Sequence, residues 1–173
     1  MPTLLAFHNS AQLKSKFVRR MEGHRKADEL VQRCTWESNG VTRGCSVGCM
    51  FHKYDHSRGP IEIGVPEILM HLNDAIFEGL PKGDAVQWPT RFLKAIPVGA
   101  DLSLVAARFA VWNLTDEKWG ATALPNQEPE ALECCRRVAA LWQRVIDGES
   151  PESLRAEFAK EEARAGAWAW AWA

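Results

Sequence analysis

Apolar residues recur at steps of three and four along most of the chain, the pattern of helices that bury one stripe. From Ser10 the stripe runs Leu13, Phe17, Met21, His24, Ala27, Val31 and Cys34. This predicts one long amphipathic helix with Ser10 as its N-cap and Lys14, Arg19, Arg20 and Arg25 off the stripe, closed by a loop at Ser38, Asn39 and Gly40. A break follows at Arg58, Gly59 and Pro60, and the stretch IEIGV reads as a short extended piece. Pro66 suits a first helical position, with Ile68, Leu69, Leu72, Ile76 and Phe77 as the next stripe and Gly79 as its stop. Pro81, Lys82 and Gly83 read as a turn, and a short helix begins near Pro89 and ends at Pro97.

Asp101 is the expected cap of a helix over 102–114, with Val105, Ala106, Phe109 and Trp112 inward. Residues 115–126 read as a loop. Glu128, Pro129 and Glu130 open a helix with acid in its first turn, as the helix dipole favours. Its stripe is Leu132, Cys135, Val138, Ala139, Trp142, Val145 and Ile146, and Gly148 stops it. Ser150 and Pro151 start a last helix burying Leu154 and Phe158. No run of four to eight residues reads as a strand, and no internal repeat is present. The expected fold is therefore all-α, a single compact bundle of about six or seven helices over residues 1–162. A low-complexity Ala/Trp tail over 163–173 follows. Alternate tryptophans cannot share one helix face, so the tail is either a frayed end or a docking element.

Composition narrows this picture. The 173 residues are 46% hydrophobic with a formal net charge of −1, enough for one cored domain and without the basic excess that phosphate-backbone binding needs. No apolar run is long enough for a membrane crossing. The N-terminus lacks the pattern of a secretory signal, and five cysteines form no paired framework. The expectation is a cytoplasmic protein with reduced thiols, no general nucleic-acid binding and no membrane. Three of the eight tryptophans fall in the last six residues, which makes the tail the expected contact for a protein partner or a second copy.

Candidate chemistry concentrates in GCSVGCMFHKYDH, residues 44–56. On one helix Cys45, Cys49, His52 and His56 would share an arc of about 60° while spanning about 16 Å. One zinc ion cannot collect ligands over that length, so only neighbouring pairs could share it. His52 and His56 form the most natural pair, but Lys53 stands where a zinc protease has its glutamate. Further ligands could come from Glu62 or Asp55, or from His24 with Asp28 on the preceding helix. Such a mixed set suits zinc or iron; no cofactor is implied otherwise. Cys45 or Cys49 could instead be a catalytic thiol, given a helix N-terminus and an imidazole in reach; His52 is too far along, so His24 or His71 would have to serve. The plain alternative is packing, since cysteine is a small buried hydrophobe and Gly44, Ser46 and Gly48 allow close helix approach. GCSVGC lacks the lysine of a phosphate loop. Cys134 with Cys135, and Glu62 with Glu78, carry weaker signals of the same kinds.

The segments HRKADELV, GCSVGC, FHKYDH, EIGVPEILMHLNDAIFEGLP, WPTRFLKAIPVGADLS and RFAVWNL resemble a group of small bacterial and phage proteins. The resemblance covers about half of the chain, over residues 24–115. It implies a cytoplasmic protein of a bacterium or its phage and carries no activity and no catalytic residue with it. The expected function is a binding or accessory protein acting through protein contacts. A metal-binding protein or metal-dependent enzyme, and a cysteine-thiol enzyme, remain as alternatives.

Overall fold

Ser10 starts the first helix as its position requires. Its hydroxyl accepts the Leu13 amide at 3.2 Å, and α1 runs over Ala11–Lys26. The computed structural model describes residues 4–37, 40 and 42–171, with side chains through 165. The expected all-α class is what it has: helices throughout, with one two-stranded ribbon. The chain divides into two compact units, Met1–Ser103 and Leu104–Ala173.

In the first unit α1 is followed by β1 (Trp36–Glu37) and β2 (Arg43–Gly44), paired antiparallel with Trp36 opposite Gly44. Then come α2 (Ser46–Phe51), a π-helical turn (Gly59–Ile63), α3 (Glu67–Gly79), α4 (Lys82–Ala85) and α5 (Trp88–Ala95). α1 packs on α5 and on α2, and α2 also lies on α3 and β2. Phe17, Met21, Val47, Met50, Met70, Phe77 and Leu93 fill the interior and are essentially inaccessible. Each such side chain adds about 1.5–3 kcal/mol of burial. A left-handed turn at Phe7, His8 and Asn9 precedes α1, and the Ala6 amide bonds the Ala100 carbonyl at 2.9 Å, tying the two ends of the unit together.

In the second unit α6 (Val105–Thr115) packs on α7 (Pro129–Ile146), which also carries α8 (Arg155–Ala171). The core here is thin: Ala107, Val145 and Leu154, with Trp142, Ile146 and Phe158 packed around them. Arg137 donates to the buried Glu161 at 2.8 Å. Among the described residues no helix is long and apolar enough to cross a membrane.

Several boundaries differ from the sequence reading. α1 stops at Lys26, so Val31 and Cys34 do not extend its stripe. IEIGV is part of a π-helical turn and its exit, not a strand. The real strands have two residues each, too short to carry a period. Lys82–Ala85 is a helical turn. Asp101 accepts the Ser103 amide in a turn, and α6 begins three residues after the expected start. Ser150 likewise accepts the Ser153 amide, ahead of α8. The α8 backbone continues through the boundary expected at 163. The proposed docking role of the tail tryptophans lies outside the described side chains.

Candidate functional site: a carboxylate–imidazole–imidazole relay

The end of α1 builds the first part of the site. Asp28 is in the left-handed region with φ 56°. Its amide bonds the Arg25 carbonyl, and the Glu29 amide bonds the His24 carbonyl at 3.0 Å. This is the Schellman arrangement, in which the residue two beyond the cap folds back over the last turn. It places Glu29 beside His24. The His24 Nδ1 and a Glu29 carboxylate oxygen are 2.6 Å apart, with 10% and 26% of the two side chains exposed. A carboxylate can only accept, so Nδ1 carries the hydrogen and Nε2 of a neutral His24 is left as an acceptor.

The partner of that nitrogen comes from the end of α2. His52 is the C-cap of α2, left-handed at φ 53°, a conformation in which His is enriched among non-glycine residues. Ending the helix there turns His52 toward α1, and its Nε2 lies 3.1 Å from Nε2 of His24. The ring centroids are 5.2 Å apart and nearly perpendicular, so the rings meet nitrogen to nitrogen close to head-on. That geometry accommodates a hydrogen bond between the two rings. Trp36 stacks on His52 with centroids 5.0 Å apart and planes 13° apart. Arg20, one turn before His24 on α1, donates to the Met50 carbonyl at 2.7 Å beside the end of α2. Burial lowers the His52 pKa below the ordinary imidazole value, and the positive charge of Arg20 adds to the effect.

Glycine brings these pieces close. A methyl group at Gly48 would stand 1.8 Å from the Thr35 carbonyl oxygen, and one at Gly44 would meet the Trp36 ring at 3.0 Å. The glycines of GCSVGC thus let the ribbon lie directly on α2, which sets the Trp36 ring against His52.

The expected single Cys/His face does not form. α2 covers only Ser46–Phe51, with Cys45 as N-cap and His52 as C-cap, so His56 leaves the helix altogether. Cys45 is buried, and its Sγ accepts the Gly48 amide at 3.4 Å. Burial, the main cause, and the charge of Asp74 push its thiol far up. Cys49 donates to the Gly44 carbonyl at 3.4 Å, and burial pushes its thiol up to about 12. Both shifts run opposite to what a nucleophilic thiol needs. His56 faces Asp74 at 3.3 Å, each side chain 10% exposed, and His71 stacks on His56 with centroids 3.9 Å apart. Glu62 pairs with Arg58, Asp55 accepts from Lys53 and Ser57, and Asp28 serves the turn after α1. Of the residues considered as metal ligands, His24 and His52 are brought together, while His56, Glu62 and Asp28 go elsewhere. Among the described residues no three or more His, Cys, Asp or Glu side chains gather in a geometry that could hold an ion.

Glu29, Trp36 and Asp74 escaped the sequence reading. Glu29 follows His24 by five residues, a spacing that pairs only when a left-handed residue turns the chain between them. Trp36 and Asp74 carry no local signal. No protein-family model, no curated protein and no solved structure matches the chain.

Proposed function

We propose that the first unit carries a proton-transfer site in which His52 is the general base and His24 and Glu29 position it. The observation behind this reading is the continuous chain Glu29–His24–His52, with links of 2.6 and 3.1 Å. With Nδ1 of His24 donating to Glu29, Nε2 of His24 accepts from Nε2–H of His52. That fixes the His52 tautomer and leaves its lone pair on Nδ1, which has no hydrogen-bond partner among the described residues. His52 is an exposed residue, so this nitrogen is open to a small molecule or to water. A base held by a second group, itself held by a third, is the arrangement that acid–base and nucleophilic sites share. On taking a proton at Nδ1, His52 keeps its Nε2–H on His24, and the Glu29 carboxylate behind His24 stabilises the new charge. The lowered pKa leaves His52 unprotonated near neutrality, as a base requires.

The test is carbethoxylation by diethyl pyrocarbonate at pH 7, followed by peptide mass analysis, together with turnover of p-nitrophenyl acetate. His52 should react faster than His71, which is more than half exposed, and His52→Gln should remove turnover above the buffer rate. A His52 that reacts no faster than His71, with ester turnover unchanged by the substitution, would defeat the reading.

A second reading, contact with a protein partner or second copy, rests on the other unit. There Trp119 is 67% exposed and Leu124 57% exposed in the segment between α6 and α7, large apolar surface that a partner would cover. Sedimentation velocity on the full chain and on Trp119→Ser tests the homo-oligomer form. Self-association that weakens in the variant supports it, and a monomer at every concentration removes it.

A further inference from the structure

We infer that the His52 site takes a small oxyanion group, a carboxylate or a tetrahedral phosphoryl-type group, held by the Arg20 guanidinium beside the His52 imidazole. The inference rests on the proton-transfer reading and adds the substrate class to it. Arg20 and His24 stand four residues apart on α1 and so share a face of that helix. His24 reaches His52 directly, and Arg20 reaches the Met50 carbonyl two residues before it. The guanidinium therefore stands on the His24 face of α1, against the last turn of α2 that His52 ends.

Arg20 is also under-used there. It has five N–H donors in a planar fork, of which one is bonded, to Met50. Its guanidinium carbon lies over the Phe17 ring, 4.9 Å from the centroid. Among the described residues it has no carboxylate partner, whereas the neighbouring acids are otherwise engaged: Glu29 with His24, and Glu62 with Arg58. A half-buried guanidinium with free donors is the residue type that takes carboxylates and phosphoryl groups by paired, charge-assisted hydrogen bonds. The exposed His52 imidazole adds a second cationic group near it when protonated. Acting on His52 through space, Arg20 also disfavours its protonated form. An anion seated between the two would relieve that repulsion.

The experiment is an NMR titration of the full-length protein, reading the imidazole resonances of all five histidines. Sodium sulfate is the probe for a tetrahedral oxyanion and sodium acetate for a carboxylate, each against sodium chloride at equal ionic strength to remove general screening. A saturable shift confined to His52 and His24, with affinity weakened by about tenfold in Arg20→Gln and weakened less in Arg20→Lys, which keeps the charge and loses the fork, supports the inference; the stronger of the two probes names the class. No saturable shift with either anion in the unaltered protein overturns it, and so does equal affinity in Arg20→Gln. If Arg20→Gln loosens α2, the unaltered protein and Arg20→Lys decide the matter. The carbethoxylation experiment uses no anion. A reactive His52 that ignores both probes therefore removes the oxyanion and leaves the base, while an unreactive His52 removes the base itself.

Discussion

At the residue scale the consequences follow from protons. His52 is held below the ordinary imidazole pKa of about 6.5 by burial first and by the charge of Arg20 next. The unfolded chain takes up a proton on this residue near pH 6.5, while the folded chain does so only at lower pH. Stability linked to His52 is thus fully present above about pH 6.5 and is lost as pH falls toward the folded value, below which the loss is constant. Thermal melts from pH 7.5 to 5 should show this slope, and His52→Gln should flatten it; an equal slope in the variant would show that other groups carry it. The two thiols of residues 44–56 give the complementary expectation. Burial holds Cys45 and Cys49 strongly protonated, so iodoacetamide at pH 7.5 should leave both unmodified in the folded protein and modify them in denaturant. Rapid labelling of Cys45 in the native state would restore the thiol-enzyme reading.

At the element scale the turns decide where chemistry lies. Asp28 occupies the left-handed position of a Schellman cap, a place glycine takes without strain. Asp28→Gly should therefore leave the protein as stable or raise stability by up to about 1 kcal/mol, with the His24–His52 resonances unchanged. Asp28→Val should cost about 1–2 kcal/mol, and a protein that depends on an Asp28 carboxylate would fail both. Gly48 makes the opposite case. Its added methyl would collide with the Thr35 backbone, which cannot move without parting the ribbon from α2. Gly48→Ala should cost about 1–3 kcal/mol or more, read as a lower midpoint of urea unfolding. Gly23 lies inside α1 with nothing within 4 Å of its would-be Cβ, and Gly23→Ala should stabilise by about 0.5–1 kcal/mol. These positions show what could be read in advance. The Ser10 cap, the Leu13–Phe17–Met21–His24 stripe and the Pro129 start of α7 rest on local rules, and they stand where those rules put them. The 4-3-4 spacing of Cys45, Cys49, His52 and His56 also obeys a local rule, yet the helix ends at Phe51 because His52 adopts a left-handed conformation and turns to meet α1. Nothing in residues 44–56 announces that, since the ring His52 meets lies 28 residues upstream. The glycines of the same stretch did hold information: two small residues four apart signal close approach, and the partner proved to be the Thr35 backbone just before β1.

At the scale of the whole molecule the two units differ in what holds them. The first buries Phe7, Phe17, Met21, Met50, Met70, Phe77 and Leu93 almost completely, and its ends are joined through Ala6 and Ala100. The second relies on a small apolar cluster around Leu154 and on exposed or half-exposed ion pairs, such as Arg144 with Glu149 and Glu157, which contribute little each. Small cores leave the least surplus over chain entropy. Local opening should therefore be easier in the second unit. Hydrogen exchange read by mass spectrometry should find the slowest amides in α1 and α3, with α6, α7 and α8 exchanging at least tenfold faster, a difference of about 1.4 kcal/mol in opening free energy. Acid should weaken the second unit further. Arg137 first and Arg164 after it lower the pKa of Glu161, so the stability this carboxylate lends α7 and α8 is present above its unfolded value of 4.5 and is lost as pH falls through the lower folded one. Glu161→Gln should remove that acid dependence and speed exchange in α7 and α8 while leaving α1 and the His24–His52 pair untouched. Equal protection of α3 and α7 at neutral pH would mean that the thin core of the second unit is not its weak point, and the expected order of opening would fall with it.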